Sequence, residues 1–398
     1  MHDSLNILFL GDLCLASWVE NLIMNDPGYD PWADIRDLVE DDDIVVANLE
    51  CCISNRGEPS PDKYANLRAD PIVLSKLDRL DVALMGNNHV SDWGEEAAED
   101  TKNHLAAMRI NAPGYGSNLA DALRPAVLAI HGLRIGILSL CCLSTHASRY
   151  AALHSSGVAP LSCVLLKEQM ESLRKEVDAI FVCPHWGREL QRYPTLDQMR
   201  FARRVVALGA DMVVGCHTHV VQPYEQYKGR WIFYGLGNFL FSDIPVTITR
   251  PDGSQRQKSA SREPVDSESL GLLVGIERRS GRVNISVKHV IPLKYNSGLV
   301  PHKCSKAELT YDLRRLNRNL RLGALFKHFE LEREGEILYR TEYCNRNFSH
   351  FYLSRNVYPV RAIDAVTRPL SLLLRYGRSS AIRFLRQILK PLRQAVAG

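Results

Sequence analysis

Five short apolar runs in this 398-residue chain end in the same way, and that repetition limits what the chain can fold into. Leu5–Leu10 (LNILFL) runs into Gly11-Asp12, and Ile44–Asn48 (IVVAN) runs into Leu49-Glu50. Val82–Met85 stops at Gly86-Asn87-Asn88-His89, and Ala179–Cys183 stops at Pro184-His185-Trp186-Gly187. Met212–Val214 stops at Gly215 and is followed by His217 and His219. Apolar runs of this length, closed by turn residues, read as strands buried on both faces. The C-terminal ends of such strands are where open α/β sheets present groups to ligands. Taken singly, each polar residue has a plainer reading: Asp12 as a turn or helix-capping residue, a lone His as a surface or core side chain. Five ends of this kind in one chain are hard to obtain from turn chemistry alone. In extended backbone the His217/His219 spacing turns both rings to one side, and neutral imidazole is the commonest protein ligand of transition metals.

Between the strands the pattern predicts helices at Pro31–Glu40, Pro71–Leu80, Glu95–Met108, Leu165–Glu176 and Thr195–Leu208. Ala126–Ile130 with Arg134–Leu140, and Pro223–Gln226 with Trp231–Tyr234, read as hairpins around His131-Gly132 and Lys228-Gly229. Cys141–Cys163 is an irregular stretch containing His146, Arg149, Tyr150 and His154, of the length expected for a lid or binding loop. Gly235–Phe241 reads as a Gly-Asn loop, and the polar residues Asp243–Ser269 as a mobile insertion. Leu270–Glu277 and Val283–Ile291 then close an α/β domain.

Composition excludes several classes. A hydrophobic share of 45% and a charged share of 24% are those of a soluble globular protein. No run approaches the roughly 18 apolar residues of a membrane span. The opening MHDSLNILFLGD carries Asp3 and lacks a basic region before a long apolar stretch, so it reads as a first strand and not a secretory signal. Ten cysteines, two pairs of them adjacent and none in a C-x-x-C, suit reduced thiols and a cytosolic location. The net charge of +4 is uneven: from Ala365 onward there are six Arg and one Lys with no acid, so the first 364 residues carry +4 less 7, or −3.

In chain order the strand ends read GD, NLE, GNNH, PHWG and GCHTH. Carboxylate, carboxamide and imidazole groups in this order can build a two-metal site with one bridging carboxylate. The blocks GNNHVSDWG, HWGREL, GADMVVGCHTHVVQPYE and IFYGLGNFLF resemble the bacterial capsule-synthesis (CapA, poly-γ-glutamate biosynthesis) family of the calcineurin-like metallophosphoesterases. The resemblance covers roughly residues 5–295. It implies a four-layer α/β sandwich over 1–300; beyond that the resemblance fades, and 301–398 reads from its own residues as a helical basic extension. The resemblance also implies one or two divalent ions, from among Mn, Zn, Fe, Mg and Ca. Asp12 and His219 would hold one ion, Asn88, His185 and His217 the other, with Glu50 between them. His89 would be a general acid oriented by Asp92. Trp186, Arg188, Gln222, Asn238 and His154 would contact the substrate, with Trp186 read also as a packing wall.

One departure alters these expectations. Calcineurin-like enzymes usually open with Asp-x-His, and here the third position is Cys14. A Cys14 thiolate would favour a softer ion, whereas a buried Cys14 would be a small hydrophobe and leave one metal position short of a ligand. Three functions stay open at this point. One is metal-dependent hydrolysis of a peptide-like or phosphoester substrate. The second is peptide epimerisation by His/Asp pairs that remove and return a Cα proton. The third is a non-catalytic role in assembling a capsule polymer. Beyond Pro301, Lys306–Arg321 and Phe329–Tyr343 read as helices. Ser379–Val396 reads as a basic amphipathic helix, either packed on the domain or serving as a membrane-surface or partner arm at the inner membrane face. No nucleic-acid-binding module is recognisable.

Overall fold

The computed structural model describes residues 4–320, apart from 41, 62, 64, 250–254, 261–266 and 319. The strands of its two large sheets are, in chain order, β1 Ser4–Leu13, β2 Ile44–Leu49, β3 Val82–Leu84, β4 Ala126–Ile130, β5 Leu133–Cys141, β6 Ala179–His185 and β7 Met212–Val214. There follow β8 Tyr224–Tyr227, β9 Arg230–Phe233, β10 Asn238–Leu240, β11 Glu268–Arg279, β12 Arg282–Tyr295 and β13 Pro301–Lys303. One sheet has the order β13-β12-β11-β1-β2-β3, with β10 added beside the end of β1; the other has the order β8-β9-β7-β6-β5-β4. The strands that carry the polar ends are parallel within each sheet: β1, β2 and β3 in the first, β6 and β7 in the second.

Alternation along these strands explains their uninterrupted apolar sequences. Ile7 and Phe9 of β1, Val46 of β2, Val82 of β3, Phe181 of β6 and Met212 of β7 meet in one core between the sheets. The ring centroids of Phe9 and Phe181 are 5.3 Å apart across it. Leu8 and Leu10 face the other way, into a core shared with α1 (Trp18–Asn25) and α2 (Gly94–Ala107). Ile180, Val182 and Val213 likewise pack under α3 (Cys163–Leu173) and α4 (Leu196–Ala207). The result is the four-layer helix–sheet–sheet–helix sandwich. α4 opens with a capping box between Thr195 and Gln198.

Several expectations are corrected. Pro31–Glu40 holds only one 3₁₀ turn, Arg36–Leu38, because Asp30 accepts from the Trp32 amide and pairs with Arg36, drawing the backbone into a turn. Pro71–Leu80 is likewise a 3₁₀ helix over Pro71–Lys76, capped by Asp70. The expected loop Gly235–Phe241 contains β10, which pairs parallel with β1 so that Asp12 faces Asn238. That pairing needs glycine: a Cβ at Gly11 would sit 1.8 Å from the Gly237 carbonyl oxygen. Within Asp243–Ser269, Ile244–Thr249 and Gln255–Ala260 pair as an antiparallel ladder. In the expected helix Lys306–Arg321 residues 306–312 are not helical, and among the described residues helix is found at 313–318 and 320. The preceding segment is tied down by Thr310, whose N–H and hydroxyl donate to the buried Glu268 carboxylate at 2.8 Å each.

The chain divides into a unit from Met1 to His328 and a second from Phe329 to Gly398. The expected helices Phe329–Tyr343 and Ser379–Val396, and the basic tail, lie outside the described residues. Among the described residues no helix is long and apolar enough to cross a membrane.

Candidate metal centre

The C-terminal ends of β1, β2, β3, β6 and the loop after β7 converge, so polar groups far apart in sequence share one buried site. Asp12 and Glu50 are fully buried, and Asn88, His89, His185, His217 and His219 nearly so. Glu50, His185 and His217 form one group whose candidate ligand atoms lie within 4.8 Å of one another; Asp12, Glu50 and His219 form another. Glu50 belongs to both. Its Oε1 is 3.5 Å from His185 Nε2 and 3.8 Å from His219 Nε2. His185 Nε2 is also 2.7 Å from Asn88 Oδ1 and 3.0 Å from His217 Nδ1.

The two histidines of GCHTH do not converge through extended backbone, as the spacing suggested. His217 has φ 93° and His219 has φ 56°, both left-handed, and their rings are 6.0 Å apart. The His217 N–H meanwhile points at Asp12, 3.2 Å from Oδ2. Non-glycine residues in this region carry strain that the surroundings must hold in place.

Burial pushes the His185 imidazole well below its usual range, and the neighbouring histidines add to the effect. Burial likewise lowers His217 to about 4. Both rings are therefore neutral near pH 7 and offer lone pairs. His219 is oriented by Asn238, whose Oδ1 is 2.9 Å from its Nδ1. Such an outer partner fixes the ring and its tautomer.

His89 stands beside this group, with Nε2 4.0 Å from Glu50 Oε1. Its Nδ1 is 2.6 Å from Asp92 Oδ2, which also accepts the Leu67 N–H at 2.7 Å. Burial lowers the His89 pKa against the opposing pull of Asp92. Lys63 completes the arrangement. Its ammonium donates to the Asn88 carbonyl at 2.6 Å and to Asp92 Oδ1, and its side chain is 9% exposed.

Other expected positions lie elsewhere. Trp186 faces the core beneath α4, where its Nε1–H donates to the Tyr234 carbonyl and its ring stacks on Tyr234, in keeping with its reading as a packing wall. Gln222 is buried, with its Nε2 donating to the Gln191 carbonyl and its Oε1 accepting from Gln198 Nε2. Asn238 is buried at the edge of the centre, with its Oδ1 beside His219 Nδ1. Arg188 is half-buried in the loop after β6, and His154 is exposed beside the turn formed by Ala152 and Ser155. Cys14 lies in the core on the α1/α2 side, outside both ligand groups. The second group therefore consists of Asp12, Glu50 and His219, three candidate donors.

Sequence reasoning missed Asn48, Asn87 and Lys63. Asn48 had a signal: it lies two residues before Glu50, which follows directly on the strand, a spacing that turns both side chains to one face. Asn87 anchors the GNNH turn by donating to the Leu49 and Leu84 carbonyls and accepting the His89 N–H. Lys63 had no signal, since only the tertiary fold brings its loop to Asp92.

The donors present (two carboxylates, three imidazoles and a carboxamide) are nitrogen and oxygen groups of the kind that bind divalent transition ions. They fit a metal. Two face-to-face sheets covered by helices, with such a ring at the strand ends, define a calcineurin-like metallophosphoesterase fold. Within that class the chain belongs to the family described as bacterial capsule synthesis protein PGA_cap, which matches residues 6–243. The chain is similar to the PGA biosynthesis protein CapA of Bacillus subtilis (strain 168), 28% identical over 252 residues that cover 62% of this chain and 66% of that one. It is similar to the capsule biosynthesis protein CapA of Bacillus anthracis, 26% identical over 250 residues and 60% of each chain. The matches thus span less than two thirds of these relatives' own length. Among solved structures it is similar to the calcineurin-like phosphoesterase YfkN from Bacillus subtilis, with a TM-score of 0.40 and 11% identity over 84% of this chain and 99% of that one.

Proposed function

We propose that the chain is a metal-dependent hydrolase acting on a peptide-like or phosphoester substrate in the making of a capsule-type polymer. The observation that carries this reading is the sharing of Glu50 between two buried groups of candidate ligands. The relatives' names, PGA biosynthesis and capsule biosynthesis, support the polymer context. Glu50, His185, His217 and Asn88 would hold one divalent ion, and Asp12, Glu50 and His219 a second, weaker one. A bound ion supplies charge neutralisation and lowers the pKa of water at the site. The chain's own groups do the rest. His89 presents Nε2 toward Glu50 while Asp92 holds Nδ1, so a proton carried on Nε2 can be delivered to a leaving group and the imidazolium is stabilised by the adjacent carboxylate.

A second reading, peptide epimerisation, is favoured by one feature. Two histidine–carboxylate pairs, His89–Asp92 and His219–Asp12, both present Nε2 toward Glu50 Oε1 at 4.0 and 3.8 Å. One histidine would take a Cα proton and the other return one to the opposite face. Isotopes separate the two reactions. Turnover of a γ-glutamyl oligomer or an aryl phosphate in ¹⁸O-water should place ¹⁸O in the product. Deuterium uptake from D₂O into a peptide that stays intact would instead establish the second reading and remove the first.

A further inference from the structure

Asn48 lies on β2 opposite Asp12 of β1, two residues before Glu50, and is 1% exposed. Its Nδ2 is 2.8 Å from Asp12 Oδ1 and 3.2 Å from Glu50 Oε2. The other end of the amide is fixed as well, because Asn48 Oδ1 accepts from Asn87 Nδ2 at 3.2 Å. Asn87 is itself anchored on the Leu49 and Leu84 carbonyls. Only the NH₂ end of Asn48 can therefore face the carboxylates, and its two N–H groups match two acceptors. Each carboxylate gives Asn48 one oxygen and turns the other inward. Asp12 Oδ2 is 3.4 Å from His219 Nδ1, and Glu50 Oε1 is within 4 Å of His185 and His219 Nε2. The same NH₂ group is 3.3 Å from His185 Nδ1.

We propose that Asn48 is the positioning residue of the metal centre: one carboxamide aims both carboxylates at the site and holds these two acids side by side. This rests on the metal-binding reading above. Aspartate there would add a third acid to the pair, and leucine would leave two buried carboxylate oxygens without that donor. Asparagine is the residue of this size that supplies two donors on one side and an acceptor on the other.

The test is Co²⁺ titration of metal-free full-length protein, followed by calorimetry and by the visible d–d absorption, for wild type, Asn48→Leu and Asn48→Ser. Loss of an outer partner costs about 10–100-fold in metal affinity. That loss, with an altered d–d spectrum and an unchanged far-UV CD spectrum, is the expected result. Wild-type-like affinity and spectrum in folded variants would overturn the proposal and leave the metal reading intact. A wild-type protein that takes up no Co²⁺ would overturn both. If both variants unfold, refolding on Co²⁺ at reduced affinity supports the proposal. Failure of Co²⁺ to restore them would make Asn48 a core residue and overturn it.

Discussion

At the scale of single residues, the site depends on groups that hold other groups. His185 and His217 are the clearest candidate ligands, because each is buried, neutral and within 3.5 Å of another candidate ligand atom. His185→Ala or His217→Ala should lower bound metal, read by plasma emission spectrometry, while far-UV CD stays unchanged. Full occupancy in both variants would contradict the assignment. Lys63 presents a different test. Removing one partner of a buried charge pair costs about 3–5 kcal/mol. Asp92 would keep the Leu67 N–H and His89, so Lys63→Met should fall near the lower end, about 3 kcal/mol. Urea melts check this, and a change below about 0.5 kcal/mol, the usual range for surface substitutions, would mean that the pair is effectively solvated.

At the scale of elements, the strand ends were readable because strands buried on both faces are continuous apolar runs, and each run here stops where its polar group begins. What sequence could not show is how the ends close on one another. β10 reads as loop in the sequence because a three-residue strand beside glycines has no period, and its pairing with β1 depends on the close approach of Gly11 to Gly237 as well as on the ladder hydrogen bonds. His217 and His219 adopt left-handed backbone with the His217 N–H on Asp12 and the His219 ring on Asn238, tertiary contacts that the His-Thr-His spacing alone, which suggests extended chain, does not show. Asp30 likewise converts an amphipathic stretch into a turn. Gly11→Ala tests the closure. Overpacking costs about 1–3 kcal/mol, and here the obstacle is backbone, so the loss should be near the top of that range. Because Asp12 is the next residue, metal content should fall as well. A variant with wild-type stability and metal would show that β10 is not held there.

At the scale of the whole molecule, two properties follow. In metal-free protein, His185 and His217 resist protonation when folded, while an unfolded imidazole takes up its proton near pH 6.5. Folded-state pKa values depressed in this way favour the folded state above the unfolded pKa. That stability is lost as the pH falls from about 6.5 toward 4, where the unfolded chain binds more protons. The thermal midpoint of chelator-treated protein should therefore drop between pH 7.5 and 5, and bound metal should deepen the drop because protons compete with it; a flat profile would contradict the burial of these rings. The second property concerns the basic residues after Ala365, which all lie in the second unit. A fragment of residues 1–328 should fold and bind metal like the full chain but lose any binding to anionic liposomes. Unfolding of the fragment would show that the two units depend on each other. The central claim is that the strand-end ring holds a divalent ion, and anomalous diffraction locates one directly. Crystals soaked in Mn²⁺ or Zn²⁺ and measured at the metal edge should show their strongest peak among Glu50, Asn88, His185 and His217, with a weaker peak or none beside Asp12 and His219. No peak within coordination distance of these residues, or one only elsewhere on the protein, would contradict the account.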